Sequence, residues 1–362
     1  MLTADAVRRQ ALELGFTVAG IAPATDLPEL ARLDDWLARG YAGEMEYLHK
    51  SAATRADIRR FLPSARSVIV TGTLYFTGQG PADGPYDRAR VAKYAWGEDY
   101  HLVLAGRLEA LVAWMRERTP EPFEAAIFVD KHHVQERVYA RHAGIGWVGK
   151  NTCLINPDAG SYLLLAGVAC SLALEPDRPV EDQCGACTLC LDHCPTGALV
   201  EPGVLDATRC ISYLTIELEG PIPEADRPAV GDHLFGCDIC QDVCPWNLAP
   251  AVTTDPAWQP RAGRAAAAAA ELWQRTDQAL QAFVRGSAML HAPLARLRRN
   301  LAVVLGNAGD PRGAEALGRP GGGVRNAAHS ARTPLVEAHV DWARRRVADR
   351  GPGTDPGAGN QE

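Results

Sequence analysis

The chain has 362 residues, 47% of them hydrophobic and 22% charged, the proportions of a globular protein with room for two or three domains. A formal net charge of −7 excludes a wholly basic nucleic-acid binder but allows a local basic face. The first twenty residues place charges at helical spacing without an uninterrupted apolar run, so no secretory signal is expected, and no run of about 18 apolar residues predicts a membrane span. Ten cysteines in such a chain suit a reducing cytoplasm.

In chain order, residues 1–22 predict a helix, with Ala6, Val7, Ala11, Leu12 and Leu14 on one side, running into a strand over Phe16–Ile21. A helix over Leu27–Arg39 stops at Gly40, and a polar helix carrying Arg55, Arg59 and Arg60 follows. The β-branched run Ser67–Leu74 predicts a buried strand, and Thr77–Tyr86 is a Gly/Pro-rich loop. Leu102–Glu117 reads as an amphipathic helix and Phe123–Val129 as a strand, ending at Asp130 before the helix-like Val134–His142. A carboxylate just past a strand and just before a helix stands where open α/β folds place their sites. It also stands where a helix N-cap belongs, and position alone leaves both readings open.

The segment Gly144-Ile-Gly146-Trp-Val-Gly149-Lys150-Asn151 fits G-x-G-x-x-G and nearly fits the P-loop. Context rejects both. A dinucleotide fingerprint follows a strand and opens a helix, whereas here a helix precedes and the strand-like Thr152–Ile155 follows. Asn151 also occupies the Ser/Thr position that holds magnesium in a P-loop. The glycines are expected to let the backbone approach a large flat ligand or another chain segment. Ser161–Ala173 predicts an apolar strand pair, and Cys153 and Cys170 read as core residues.

Cys184, Cys187, Cys190 and Cys194-Pro195 form C-x2-C-x2-C-x3-C-P. Cys237, Cys240 and Cys244-Pro245 form C-x2-C-x3-C-P, with Cys210 between the two runs. These thiols match two cubane clusters with four thiolates each. The tight spacing wraps three thiolates around one centre and directs the Cys before each Pro to the other. Cys184, Cys187, Cys190 and Cys244 are therefore expected to hold one [4Fe–4S] cluster, and Cys194, Cys210, Cys237 and Cys240 the second. Structural zinc prefers two separated ligand pairs, and disulfides need an oxidising compartment.

Past Pro245 a loop runs to about Arg264, and a helix starting in Ala265–Ala270 continues through Leu272 and Trp273. Leu294–Leu305, a turn at Asp310-Pro311, a break at Gly318–Gly323 and a helix over Val336–Val347 suggest one or two HEAT-like units packed on the core. The last dozen residues have a disordered composition. Arg296, Arg298 and Arg299, and then Arg344, Arg345 and Arg346, are basic clusters that read either as solvated helix faces or as phosphate contacts.

The combination resembles the epoxyqueuosine reductase family over about residues 5–348. The resemblance rests on Gly43-Glu-Met-Glu-Tyr47, on Arg55 with Leu62-Pro63 and Ser67, and on Tyr94-Ala-Trp-Gly-Glu-Asp-Tyr-His101. Val129-Asp130, Glu136-Arg137, the glycine segment to Thr152, Asn156-Pro157 and Leu174-Glu-Pro-Asp177 continue it. Cys194-Pro-Thr-Gly-Ala-Leu199, Arg209-Cys-Ile-Ser-Tyr-Leu-Thr-Ile-Glu217, Gly236-Cys-Asp-Ile-Cys240 and Cys244-Pro-Trp-Asn247 complete it. It implies an α+β protein in three functional parts. These are a nitroreductase-like cobalamin-binding α/β domain over 1–175, a bacterial-ferredoxin-like domain with two [4Fe–4S] clusters over 176–255, and a HEAT-like helical tRNA-binding region over 256–350, followed by a tail at 351–362.

The resemblance further implies reduction of epoxyqueuosine to queuosine at the wobble position of tRNA. Electrons would pass through both clusters to cobalamin, with Asp130 as proton donor and its carboxyl kept protonated by burial beside the apolar corrin. Arg55, Asp130, Ser212, Asp238 and Ile239 match positions near the corrin, and Arg298, Arg299 and Asn300 match a nucleic-acid-contacting helix. A cytoplasmic monomer fed by a separate reductant protein is expected. One departure is that Lys131, His132, His133 and Val134 follow Asp130 where the family has a small residue and then a proline, so His132 and His133 are candidates to reorient Asp130 or supply protons. A reductive dehalogenase shares the cofactor plan but commonly carries a twin-arginine signal, absent here. A ferredoxin-type electron carrier explains Cys184–Cys244 and little else.

Overall fold

The computed structural model describes residues 2–79, 88–308, 311–318 and 333–350. The tail 351–362, nearly all of the Gly318–Gly323 break and most of the Thr77–Tyr86 loop fall outside them. The chain folds as two compact units. The first comprises Met1–Gly78, Glu98–Ala207 and Ile239–Gln259, and the second Gln79–Gly97, Thr208–Asp238 and Pro260–Glu362.

The first unit is built on an antiparallel sheet in the order Val18–Pro23, Ser67–Leu74, Leu163–Cys170, Ala125–Phe128. Every residue of Ser67–Leu74 is buried, as its β-branched run requires of a central strand. One face packs Val68, Val70, Phe128 and Ala169 against Tyr139 and Ala140 of the helix Glu136–His142. That helix lies close because Gly20 has no side chain: a Cβ there would stand 1.9 Å from the Ala143 carbonyl oxygen. The helices Ala4–Glu13 and Tyr100–Arg118 pack together, the first against Val18–Pro23 and the second against Leu163–Cys170 and Ala125–Phe128. Asp99 caps Tyr100–Arg118, its carboxylate accepting the His101 N–H, which fixes the two residues that follow it. The strand pair expected over Ser161–Ala173 is one strand, Leu163–Cys170. It is paired on both sides, so the whole apolar run serves a single central position.

In the second unit, Arg88–Val91 pairs in parallel with His233–Phe235 and antiparallel with Ala266–Ala268. The alanine run from Ala265 therefore opens as a strand, and the helix starts only at Ala269–Gln274. Pairing with Arg88–Val91 overrides the helical preference of alanine. The helix Leu294–Ala308 packs against Ala269–Gln274, Pro311–Gly318 and Pro334–Arg350. At Gly306 its backbone meets the last of these, where a Cβ would stand 2.8 Å from Ala343 and from the Trp342 ring. The fold is α+β, and among the described residues no helix is long and apolar enough to cross a membrane.

Candidate active site and cluster-binding loops

One complete thiol set lies within the first unit. Cys184, Cys187, Cys190 and Cys244 lie close enough that burial first, and then the charges of Cys244, Cys184 and Cys187, push the Cys190 thiol up to about 11. Burial also raises Cys244, with Cys184 and Cys187 adding to it. Such crowding is unfavourable for free thiolates and is relieved by a multivalent cation, so the donor set fits an iron–sulfur centre. All ten cysteines are free of disulfides. Cys194 runs the other way. Burial would raise it, but the Thr196 hydroxyl and the amides of Ala198, Leu199 and Thr196 outweigh burial and lower it, and the Ala198 N–H donates to its sulfur at 3.3 Å. Cys240 belongs to the first unit with Cys194, and Cys210 and Cys237 belong to the second. Cys170 is buried in the central strand, as read from sequence, whereas Cys153 is only partly buried.

Asp130 follows the strand Ala125–Phe128 with φ of 47°, a left-handed conformation that Asp tolerates better than most residues. It is not a cap, because the N-cap position of Glu136–His142 is Gln135. Its N–H donates to Glu136 Oε1 at 2.6 Å. Arg55 supports the loop from behind, Nη1 donating to the Val134 carbonyl at 3.2 Å and Nε to Ser51 Oγ at 2.9 Å. The Asp130 side chain, 56% exposed, accepts from the Tyr100 hydroxyl at 2.6 Å, with His101 Nε2 at 3.1 Å from the same oxygen. His101 Nδ1 in turn faces Asp99 Oδ1 at 2.7 Å. Asp99, His101 and Asp130 thus form a continuous chain.

The resemblance implies an Asp130 carboxyl kept protonated by burial beside the corrin; the chain's own neighbouring groups act in the opposite direction. Burial favours the neutral acid, but the hydrogen bonds from His101 and Tyr100, and the charges of His101 and Arg55, outweigh it and lower the pKa. For His101 burial favours the neutral ring, yet the bonds to Asp130 and Asp99 raise it above the ordinary value. Both directions favour a proton on the imidazole over one on Asp130. Glu136 is the carboxyl that is pushed up, to about 8, by burial and then by the Asp130 charge. Sequence reasoning missed His101 and Glu136 as chemical groups, although Asp99-Tyr100-His101 at a helix start was a readable signal. His132 turns back on its own loop, with Nδ1 near the Val129 N–H and carbonyl and its ring edge-on to Phe61 at 5.9 Å.

Of the other expected cofactor contacts, Asp238 is buried and its Oδ2 accepts the Lys93 N–H at 2.8 Å. Ser212 opens the wide helical turn Tyr213–Glu217, and Ile239 opens the short helix Ile239–Asp242.

The expectation that Arg298, Arg299 and Asn300 contact nucleic acid is corrected by their burial, at 2%, 0% and 0% exposure. Arg298 pairs with Asp277 at 2.7 Å and donates to the Trp273 and Arg275 carbonyls. Arg299 donates to the carbonyls of Leu214, Leu218 and Gly220, and Asn300 to those of Thr215 and Leu234. Their donors are spent inside the unit, holding the segment that follows Cys210 and the strand that precedes Cys237.

The glycine segment ends as a close approach of chain to chain, the second of its two sequence readings. Trp147–Val148 pairs with Leu154–Ile155, and a Cβ at Gly146 would stand 2.1 Å from the Ile155 carbonyl oxygen.

Two family profiles match this chain. "4Fe-4S double cluster binding domain" covers residues 183–247, and "Epoxyqueuosine reductase QueG, DUF1730" covers residues 55–131. The epoxyqueuosine reductase of Escherichia coli (strain K12) is 37% identical over 345 residues, 94% of this chain and 88% of that protein. That of Synechocystis sp. is 42% identical over 286 residues, 78% and 98% of the two. The crystal structure of epoxyqueuosine reductase with an epoxyqueuosine-modified tRNA-Tyr stem loop superposes with a TM-score of 0.85 at 28% identity, covering 95% of this chain and 89% of that one. With identity of this order carried along nearly the whole length, through both cysteine runs and the segment ending at Asp130, the chain belongs to the epoxyqueuosine reductase family.

Proposed function

We propose that this protein reduces epoxyqueuosine in tRNA to queuosine, with electrons entering through two [4Fe–4S] clusters and a cobalamin beside Asp130. In that reaction both C–O bonds of the epoxide break and an alkene forms. The oxygen leaves as water, having taken up two protons and two electrons. The cobalamin, when bound, supplies two-electron reducing power at the epoxide; the clusters deliver electrons one at a time. The chain's own residues manage protons and position.

The observation that carries the reading is the chain Asp99–His101–Asp130, ending at an accessible carboxylate on a loop fixed by Arg55, Tyr100 and Glu136. Negative charge grows on the epoxide oxygen as its bonds break, and a proton must arrive there. Asp130 Oδ2 relays it, and His101 Nε2 reloads Asp130 while Asp99 steadies the imidazolium. Arg55 supplies positive charge behind the loop, and Ser212, Asp238 and Ile239 are assigned to the corrin by the family resemblance alone.

By role, residues 1–175 serve cobalamin and catalysis, 176–255 serve the clusters and 256–350 serve tRNA through HEAT-like packing. From the two basic clusters, Arg344 and Arg345 are the proposed phosphate contacts, with side chains 42% and 61% exposed. The enzyme works in the cytoplasm, where tRNA resides, as a monomer fed by a separate reductant protein. Family membership over the whole chain favours this reading over a dehalogenase or a bare electron carrier.

The test is mass analysis of nucleosides from epoxyqueuosine-containing tRNA after anaerobic incubation with reconstituted protein, cobalamin and a chemical reductant. Queuosine should accumulate; its absence, with eight irons and a corrinoid bound per chain, overturns the proposal.

A further inference from the structure

The segment Gly146–Asn151 has no assigned task, yet three of its side chains are directed at the cysteine loops, two of them at the first thiol set and one at Cys240 of the second. Trp147 is 1% exposed, and its indole N–H points at Cys184 Sγ from 3.5 Å. The ring packs with Ile155, Cys244 and Trp246 in one apolar cluster, edge-on to Trp246 at 4.8 Å. Lys150 Nζ donates to the carbonyls of Gly185 and Cys187 at 2.7 and 2.9 Å, bridging the tightest part of the cysteine loop. Asn151 is buried, and its amide donates to the Cys240 carbonyl at 3.2 Å. The glycines make this approach possible: a Cβ at Gly149 would stand 2.5 Å from Ile155 and 2.9 Å from Asn151 Oδ1.

We propose that Trp147 and Lys150 set the reduction potential of the cluster held by Cys184, Cys187, Cys190 and Cys244, making Gly146–Asn151 an electrostatic collar around that centre. The inference rests on the cluster assignment made above. One electron enters the cluster from a low-potential one-electron donor; no bond forms or breaks, and the net negative charge on the iron, sulfide and thiolate set grows by one. A cation and an N–H dipole fixed beside the thiolates stabilise the more negative, reduced state and raise the potential. The buried indole keeps water from its own N–H, so that dipole acts with little solvent screening, while the partly exposed ammonium acts through the two carbonyls that hold it in place. Trp147 and Lys150 are positioning residues: they touch the ligand loop and act through it.

The experiment is an EPR-monitored redox titration with dithionite on the reconstituted full chain, comparing Trp147→Phe, Lys150→Met and Lys150→Arg. Trp147→Phe keeps the ring against Trp246 and removes the N–H. Lys150→Met keeps the length and removes the charge. Each is expected to move the midpoint of one cluster downward and leave the other in place. At a fixed ambient potential its ratio of reduced to oxidised form should fall by roughly tenfold, equivalent to about 59 mV for a one-electron couple. Lys150→Arg should restore most of the Lys150→Met shift. Unchanged midpoints for both clusters in Trp147→Phe and Lys150→Met, at full iron content, overturn the collar, as does an equal shift of both. If Lys150→Met fails to load iron, Trp147→Phe still decides. The underlying assignment is tested apart from this, in the unsubstituted chain, by its iron count, and by whether Cys184→Ala and Cys244→Ala remove the same cluster signal.

Discussion

At Asp130 the backbone turns left-handed just after a strand, which lifts the carboxylate out of the sheet's packing and leaves it exposed. Asp130→Asn keeps the shape of the side chain and the contact with Tyr100 but removes the proton carrier. Turnover should fall by about 10²–10⁴-fold, the usual worth of a positioned acid, while iron and corrinoid contents stay at the unsubstituted level; equal turnover by the variant removes Asp130 from the chemistry. His101 brings a pH dependence whose sign follows from its raised pKa. The working form carries the proton, so single-turnover rates should be flat in mild acid and fall as pH rises through that raised value. In His101→Gln the alkaline fall should vanish along with most of the rate. Glu136 adds a stability effect. Its folded pKa of about 8 exceeds the ordinary 4.5, so its contribution is fully present below the lower value and is lost as pH rises through the higher one. Glu136→Gln retains an acceptor for the Asp130 N–H. The thermal midpoint of the unsubstituted protein should therefore decline relative to the variant between about pH 5 and about pH 9, and parallel curves would show that Glu136 does not titrate there.

At the scale of elements, the two cysteine runs and the buried strand Ser67–Leu74 were legible because spacing and β-branching are local signals. The strand at Ala266–Ala268 was not, since nothing in an alanine run announces the partner Arg88–Val91. Arg298, Arg299 and Asn300 were misread for a related reason. A basic helix face is ambiguous until the carbonyls of Leu214, Leu218, Gly220 and Leu234 are known to lie against it. Their burial leads to a different expectation. Arg299→Ala orphans three carbonyls, each worth about 1–3 kcal/mol when left unsatisfied, so the helix Leu294–Ala308 should lose its hold on the segment after Cys210. Urea unfolding should report a loss of about 3 kcal/mol or more, and a variant of normal stability but weak tRNA binding would return Arg299 to the surface. The glycine segment shows the converse. Its rejection as a nucleotide loop followed from element order, and Gly146 against Ile155 gives the packing reason for its glycines.

For the molecule as a whole, the proposed binding of tRNA by an acidic chain of net charge −7 requires a local basic face. Arg344 and Arg345 stand on the helix Pro334–Arg350. Among the described residues Arg345 pairs with Glu224 at 3.3 Å, in a pair exposed on both sides. Such pairs are worth little and yield readily to phosphate. Replacing both arginines with Ala should weaken binding of the tRNA stem–loop and reduce the slope of log affinity against log salt by about 2. An unaltered slope would move the interface elsewhere. The activity of the loaded enzyme at saturating tRNA should change little, because these residues lie outside the proton chain.

The order in which the chain is made acquires a meaning from Ser161 and Tyr162, which lead into the central strand Leu163–Cys170. Ser161 shares hydrogen bonds with Gln241 and Asn247, and the Tyr162 hydroxyl donates to Asp242. The sheet is thereby buttoned to a stretch synthesised long after it, and the same stretch brings Cys244. A ribosome pausing before Asn247 would display three thiols of the first set with the fourth still inside the tunnel. Iron delivered then would find an incomplete nest, so this centre can assemble only after Cys244 has left the tunnel, and products truncated before Cys244 should lack its signal.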